Sequence, residues 1–285
     1  MKFADTDFAP YDLTLPRAQP IPFVCDSPHS GSVYPADFRS VLPLTKLRWA
    51  EDTLVDALWS GVPDAGGTLL AANFPRTYID LNREPDDLDP TLLAEPWAEP
   101  LSPSERCRQG CGLIWSRIRG EPVYDHKLWA AEVLDRIERY YKPYYQVLAD
   151  RMQALESQFG VVWHINVHSM PSDTGVLLGR GAAPLADVVL GDLHGKSCDP
   201  TFTGIVEDYL RDRGYTVARN DPFAGMALVR RFGRPAHHWH SLQIEVSRGL
   251  YLDEHTSEKS AGFARVQHDM SGLAGHIARF VTSLL

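Results

Sequence analysis

Val161-Val162-Trp163-His164-Ile165-Asn166-Val167 runs directly into His168-Ser169-Met170-Pro171-Ser172-Asp173-Thr174-Gly175. The first seven residues mix apolar, β-branched and aromatic side chains over the length of a strand. The next eight break into Ser, Pro, Asp and Gly, the vocabulary of a turn. In open α/β sheets this junction, outside the carboxyl end of a strand, is where ligand groups sit. Two other segments repeat the order. Ile21-Pro22-Phe23-Val24-Cys25 leads into Asp26-Ser27-Pro28-His29-Ser30-Gly31, and Leu242-Gln243-Ile244-Glu245-Val246 ends in Ser247-Arg248-Gly249. Two imidazoles, His29 and His168, and one carboxylate, Glu245, are thereby expected at one sheet edge, and such a set suggests a catalytic metal site.

Around these strands the chain alternates. Leu47, Ala50, Leu54, Ala57 and Leu58 recur at helical spacing over 46–60. Strands are expected at 68–73, 77–81, 187–191 and 215–218. The apolar stripe from Leu128 to Leu155 predicts a long helix over 126–159 that Pro143 kinks or divides. Phe202–Arg213 reads as a helix closed by Gly214, and 257–284 as the closing helix. The pattern predicts an α/β fold with a mostly parallel or mixed sheet. No repeat or linker interrupts it, so one domain over 1–285 is expected. Residues 84–125, rich in Pro, Asp, Glu and Gly, form a long loop of the kind that rims or covers a site.

Composition removes several classes. The 285 residues are 44% hydrophobic and 23% charged, within the ordinary soluble range. A net charge of −9 with no basic block argues against a nucleic-acid partner, while leaving room for an anionic small molecule at a local arginine cluster. No apolar run approaches the ~20 residues of a membrane span, and Met1-Lys2-Phe3-Ala4-Asp5 lacks a signal-peptide core. A cytoplasmic, membrane-free protein is expected. Cys25, Cys107, Cys111 and Cys198 show no paired zinc-ribbon spacing and read as free thiols.

A catalytic zinc site takes three protein ligands from His and Asp/Glu and leaves a position for water, whose pKa the metal lowers. His29 and His168, flanked by small residues, supply the imidazoles. Asp52 or its neighbour Glu51 supplies the carboxylate, and Asp56, four residues on, shares a helical face with Asp52. Glu245, after four mostly apolar residues, is costly there unless paired or functional, and suits a general base. The competing readings are hydrogen-bonded structural histidines, exposed helix acids and a surface Glu245–Arg248 pair.

Arg76-Thr77-Tyr78-Ile79-Asp80-Leu81-Asn82-Arg83 brings two arginines and an asparagine together. A guanidinium fork matches a carboxylate bidentately, so Asn82, Arg83 and Arg76 suggest recognition of a substrate carboxylate. Alternatively the arginines pair with Glu84, Asp86 and Asp87. His237, His238 and His240 read as surface or rim residues, and His194 as a loop residue. No Gly-x-Ser-x-Gly elbow and no phosphate-binding Gly-x-x-x-x-Gly-Lys-Ser/Thr occurs.

Taken together, Ser27-Pro28-His29-Ser30-Gly31 with Tyr34-Pro35, Asp52-x-x-Val55-Asp56, Arg76-x-Tyr78-Ile79-Asp80-Leu81-Asn82-Arg83, His168-Ser169-Met170-Pro171, Asn220-x-Pro222-Phe223-x-Gly225 and Gln243-Ile244-Glu245-Val246 resemble the N-formylglutamate amidohydrolases over roughly 21–252. The resemblance implies a zinc-carboxypeptidase-like three-layer αβα fold with a mixed, mostly parallel central sheet. It implies one Zn2+ held by His29, Asp52 and His168, with Glu245 as general base and acid. Asn82 and Arg83 would clamp the carboxylate of a small anionic N-acyl amino acid, cleaved at its amide bond. The chain departs from the family pattern at Phe223 and Gly225-Met226, positions that bear on the substrate rather than the chemistry. Other readings are an amidase of a different N-acyl amino acid or cell-wall peptide, a binding protein that kept the pocket, and a metal phosphoesterase.

Overall fold

The frame of the molecule is a seven-stranded sheet, seen in a computed structural model that describes residues 8–285. The strands are β1 (Tyr11–Thr14), β2 (Phe23–Ser27), β3 (Thr68–Ala72), β4 (Val162–Met170), β5 (Val188–Gly191), β6 (Val217–Arg219) and β7 (Trp239–Ser247). Their spatial order is β1-β3-β2-β4-β7-β5-β6. β2 and β4, β4 and β7, and β5 and β6 pair in parallel, whereas β5 runs antiparallel to β7. The mixed, mostly parallel sheet expected from the alternation is present. The N-terminal stretch Met1–Asp5, in which no signal peptide was read, lies outside the described residues. Among the described residues no helix is long and apolar enough to cross a membrane.

Side chains alternate across a strand, and here the alternation separates two kinds of buried face. Phe23 and Cys25 of β2, Trp163, Ile165 and Val167 of β4, and Leu242, Ile244 and Val246 of β7 belong to the main apolar core. Three helices cover that face. The short α1 (Val55–Leu58) contributes Val55 and Leu58. A later helix, Pro200–Asp212, contributes Phe202, Val206 and Leu210, and the closing helix, Phe263–Ser283, contributes Val266, Met270, Leu273, Ile277 and Val281. The three-to-four-residue spacing of these positions is what makes each segment helical and docks it. Each such side chain, fully buried, contributes ~1.5–3 kcal/mol.

The opposite face is buried and polar. It carries Asp26, His164, Asn166, His168, Ser241, Gln243 and Glu245, all under 9% exposed. The helix Ala227–Phe232 meets this side, with the Phe232 ring 5.9 Å from that of His164. Helices therefore lie on both faces of the sheet.

The chain divides into two compact units, the first containing Pro28–Thr53 and Ala71–Val147, the second Leu13–Ser27, Leu54–Leu70 and Leu148–Leu285. The first has little regular structure and is organised round a buried cation. Arg136 donates to the carbonyl of Tyr78 and to the Tyr124 hydroxyl and lies 4.0 Å from the Tyr78 ring centre. Burial alone would lower its pKa, but the aromatic hydroxyls and Asp37 raise it above its ordinary value.

Several expected elements differ in detail. The periodic segment 46–60 is not one helix: Leu44–Leu47, a 3-10 turn Arg48–Ala50 and α1 are separated by Glu51–Thr53, and Leu54 enters α1 with φ +62°. The expected strand 77–81 is a turn closed by Tyr78 N donating to Pro75 O. The helix expected at 126–159 is divided as Pro143 requires. Ala130–Arg136 passes through a π-helical turn, Ile137–Tyr141, into Lys142–Phe159, because Pro143 has no N–H to offer the Arg139 carbonyl. The closing helix starts at Phe263, since Glu258–Lys259 pairs with Leu252–Asp253 in a small ladder instead. β1 was not anticipated.

Candidate active site

His29 lies two residues beyond β2, in a turn that needs its glycine. A Cβ at Gly31 would sit 2.3 Å from the backbone oxygen of Phe74. The space a side chain at Gly31 would fill is therefore taken by the backbone of Phe74. Asp52 N donates to His29 O at 2.9 Å, which ties the two candidate ligand segments together. Asp52 sits in the extended link before α1, so the helical face proposed for Asp52 and Asp56 does not exist. Its Oδ2 lies 3.4 Å from His29 Nδ1, and both side chains are fully buried. His168, near the end of β4, completes the group. His29, Asp52 and His168 each offer one ligand atom, and these atoms lie within 4.8 Å of one another. Two imidazoles and a carboxylate, all buried, form a donor set that could hold a metal ion, and it is the composition of a catalytic zinc site.

Glu51 is engaged elsewhere. Its Oε1 accepts from Tyr34 (2.7 Å) and its Oε2 from Arg48 and Thr53 (3.2 Å each). Burial raises its pKa, against the opposing pull of Tyr34, Arg48 and Thr53.

The turn 77–81 exists to place one carboxylate. Asp80 Oδ1 accepts from His29 Nε2 and from Asn82 N, both at 2.8 Å. Its Oδ2 accepts from Arg76 Nε (3.0 Å) and Nη2 (2.9 Å) and from Trp115 Nε1 (2.9 Å). Burial would raise the Asp80 pKa, but Arg76, His29 and Arg83 more than offset it and hold the carboxyl well below its ordinary range. An acceptor at Nε2 makes that nitrogen a donor, so that in the neutral ring the lone pair lies on Nδ1, the side of Asp52.

The arginines are held rather than loose. Arg76 presents two N–H groups to Asp80 and stacks over Trp115 at 4.9 Å. Arg83 donates from Nε to the Cys111 carbonyl (2.7 Å) and from Nη1 to that of Asn82 (2.9 Å), with Asp87 3.9 Å away. The local-acid reading thus applies to Asp87 at long range, while Arg76 pairs with Asp80. Cys111 and Trp115 belong to the long 84–125 segment, which here buttresses Asp80 and Arg83.

On the sheet, Glu245 of β7 is the register partner of His168 of β4, and parallel partners project to the same face. Gln243 Nε2 donates to Glu245 Oε1 at 3.0 Å. Arg248 Nε donates to Ser169 Oγ at 3.0 Å. His240, expected at the surface, is a strand residue of β7 and is buried. It stacks on Trp163 at 4.1 Å, and its Nδ1 accepts from Asp199 N.

Sequence reasoning passed over Asp80, Asn166 and Gln243 as individual residues. The signal available was parity: Asn166 and Gln243 stand two residues before His168 and Glu245, hence on the same strand faces. Asn166 Oδ1 lies 2.6 Å from His168 Nε2.

Comparison with known proteins shows the family. The family model described as N-formylglutamate amidohydrolase matches residues 21–252. The N-formylglutamate deformylase of Pseudomonas aeruginosa is 27% identical over 240 residues, covering 82% of this chain and 83% of the relative. That of Pseudomonas putida is 28% identical over 239 residues, with the same coverage. A solved N-formylglutamate amidohydrolase from Ralstonia eutropha JMP134 is 51% identical, covers 98% of this chain and 100% of its own, and superposes with a TM-score of 0.95. A protein of Agrobacterium tumefaciens, 14% identical with a TM-score of 0.66 over 99% and 96% of the two chains, shares the fold. The chain belongs to the N-formylglutamate amidohydrolase family.

Proposed function

We propose that the protein is a zinc-dependent amidohydrolase that cleaves N-formyl-L-glutamate to glutamate and formate in the cytoplasm. The observation that carries this reading is the buried His29–Asp52–His168 group, with Glu245 alongside His168 in the sheet register. The names of the relatives supply the substrate.

In this reading His29, Asp52 and His168 would hold the metal. A zinc ion there would supply Lewis acidity toward the formyl carbonyl and a water. Glu245, steadied by Gln243, takes the proton as water oxygen bonds to the formyl carbon. It then delivers that proton to the leaving amine as the C–N bond breaks, which gives formate and free glutamate. Asn82 and Arg83 hold a substrate carboxylate, and Arg76 adds positive charge from its seat on Asp80. The 84–125 segment rims the substrate, a place its bonds to Arg83 and Asp80 support.

The test is amine release from N-formyl-L-glutamate by purified protein, before and after chelation and after zinc is added back. Activity that chelation abolishes and zinc restores is the expected result. Zinc bound at about one per chain without activity on this substrate, but with activity on another N-acyl amino acid, would replace the substrate and keep the chemistry. Absence of both metal and activity would overturn the reading. Arg83→Ala is expected to raise KM well above its effect on kcat, and an unchanged KM would remove the carboxylate clamp.

A further inference from the structure

The polar face of the sheet contains a continuous chain of hydrogen bonds behind His168. Ser241 Oγ lies 2.8 Å from His164 Nδ1, and His164 Nε2 lies 2.8 Å from Asp26 Oδ1. Asn166 Nδ2 donates to the same Asp26 Oδ1 at 2.8 Å, and Asn166 Oδ1 lies 2.6 Å from His168 Nε2. Ser241, His164, Asp26 and Asn166 are wholly buried and His168 is 2% exposed. These residues come from β2, β4 and β7, brought into line by the parallel registers Asp26↔Asn166 and His164↔Ser241.

We infer that Asp26 is a positioning residue that decides, through the Asn166 amide, which ring nitrogen of His168 carries the proton. A carboxylate oxygen only accepts, so the amide of Asn166 must turn its NH2 toward Asp26. The reversed amide would set its oxygen against the carboxylate oxygen at 2.8 Å in a dry interior, where an unmade bond is most costly. With NH2 committed to Asp26, the amide oxygen faces His168, and an oxygen there requires a donor. His168 therefore carries its proton on Nε2 and its lone pair on Nδ1. The same carboxylate sets the other branch: His164 donates from Nε2, and its Nδ1 accepts from the Ser241 hydroxyl.

His29 reaches the same state by a shorter route, with Asp80 touching its Nε2 directly. The two candidate metal-binding imidazoles thus receive one tautomer from two devices, a carboxylate in contact and a carboxylate acting through an amide. The consequence for metal binding rests on the reading of His168 as a ligand; the proton assignment does not.

The test uses histidine labelled with 15N in zinc-free protein, with the His168 signals identified by their loss in His168→Asn. The wild type is expected to show the Nε2–H form. Asp26→Asn gives Asn166 a partner that can present either end, so the His168 spectrum is expected to move to a mixture or to Nδ1–H. Zinc affinity is expected to fall about 10–100-fold. Ser241→Ala perturbs the far end of the same network and is expected to leave the His168 tautomer and the zinc affinity unchanged. If Asp26→Asn does not fold, Asn166→Ala cuts the relay one step later and is expected to release the tautomer in the same way.

A wild-type His168 protonated at Nδ1 would overturn the inference. So would an Asp26→Asn protein with the wild-type tautomer and zinc affinity, or a Ser241→Ala protein that shifts as far as Asp26→Asn. A wild type that takes up no zinc yet shows the Nε2–H form, released by Asp26→Asn, would overturn the metal reading and support the relay.

Discussion

Replacing Asp80 by alanine removes one fully buried carboxylate and strands every group that donates to it. The Arg76 guanidinium loses two charge-assisted hydrogen bonds while its side chain stays only 15% exposed. Trp115 Nε1, Asn82 N and His29 Nε2 each lose their acceptor. Removing one member of a buried ion pair costs ~3–5 kcal/mol, chiefly through the uncompensated charge left behind. Set against a total stability of ~5–15 kcal/mol, that is a large fraction of what holds the native state. The expected result for zinc-free protein in urea is a loss of ~3–5 kcal/mol at an unchanged slope. A second effect falls on metal binding, because His29 loses the partner that fixes its ring and its proton. Zinc affinity, read by competition with a chromophoric chelator, is expected to weaken ~10–100-fold. Arg76→Met in the Asp80→Ala background should recover much of the stability, since no charge is then left unpaired, yet recover none of the zinc affinity. A loss under ~1 kcal/mol, together with wild-type zinc affinity, would refute the account of Asp80 as the shared anchor of the arginine and the histidine.

Three further outcomes follow from particular contacts. Glu245→Gln is expected to lower kcat by ~10²–10⁴ with zinc content unchanged, checked by steady-state kinetics and elemental analysis. Gly31→Ala forces a methyl to within 2.3 Å of the Phe74 carbonyl oxygen and should cost ~1–3 kcal/mol in thermal or urea unfolding. Glu207 accepts hydrogen bonds from Arg211 and Arg219. Burial opposes its charge, but these arginines outweigh it and hold its pKa below the ordinary value. A depressed folded pKa gives stability that is present above the unfolded value of ~4.3 and lost as pH falls through the folded one. Glu207→Gln should therefore be less stable than wild type at neutral pH and lose stability less steeply in the acid limb, as measured by unfolding at a series of pH values.

The strands that carry His168 and Glu245 and lead into His29 were legible because burial, β-branching and abrupt turn chemistry coincide in them. Where the reading failed, periodicity was present but served something else. Ile79, Asp80 and Leu81 alternate apolar and polar like a strand, yet the chain turns there to give Asp80 five donor hydrogens. Leu47, Ala50, Leu54 and Leu58 repeat like a helix, yet the chain extends through Glu51 and Asp52 to bring Asp52 to His29. His240 stands next to two exposed histidines, and only the length of β7 takes it inside. The relay behind His168 was out of reach for a different reason. Asp26 and Asn166 are 140 residues apart, and no local pattern announces which polar residue of one strand will face which of another.

The division of the sheet into an apolar and a polar buried face also bears on how the strands find their alignment. In a sheet with one wet side, slipping a strand by one residue exposes its apolar set, a penalty proportional to area. Here a slip of β4 against β2 and β7 would push His164, Asn166 and His168 into the hydrocarbon packed by the helices. At the same moment Trp163, Ile165 and Val167 would land among Asp26, Gln243 and Glu245. Both halves of that exchange are unfavourable, and the polar half is charged per orphaned hydrogen bond rather than per unit area. The polar residues around the candidate site thus also disfavour out-of-register pairing of the sheet.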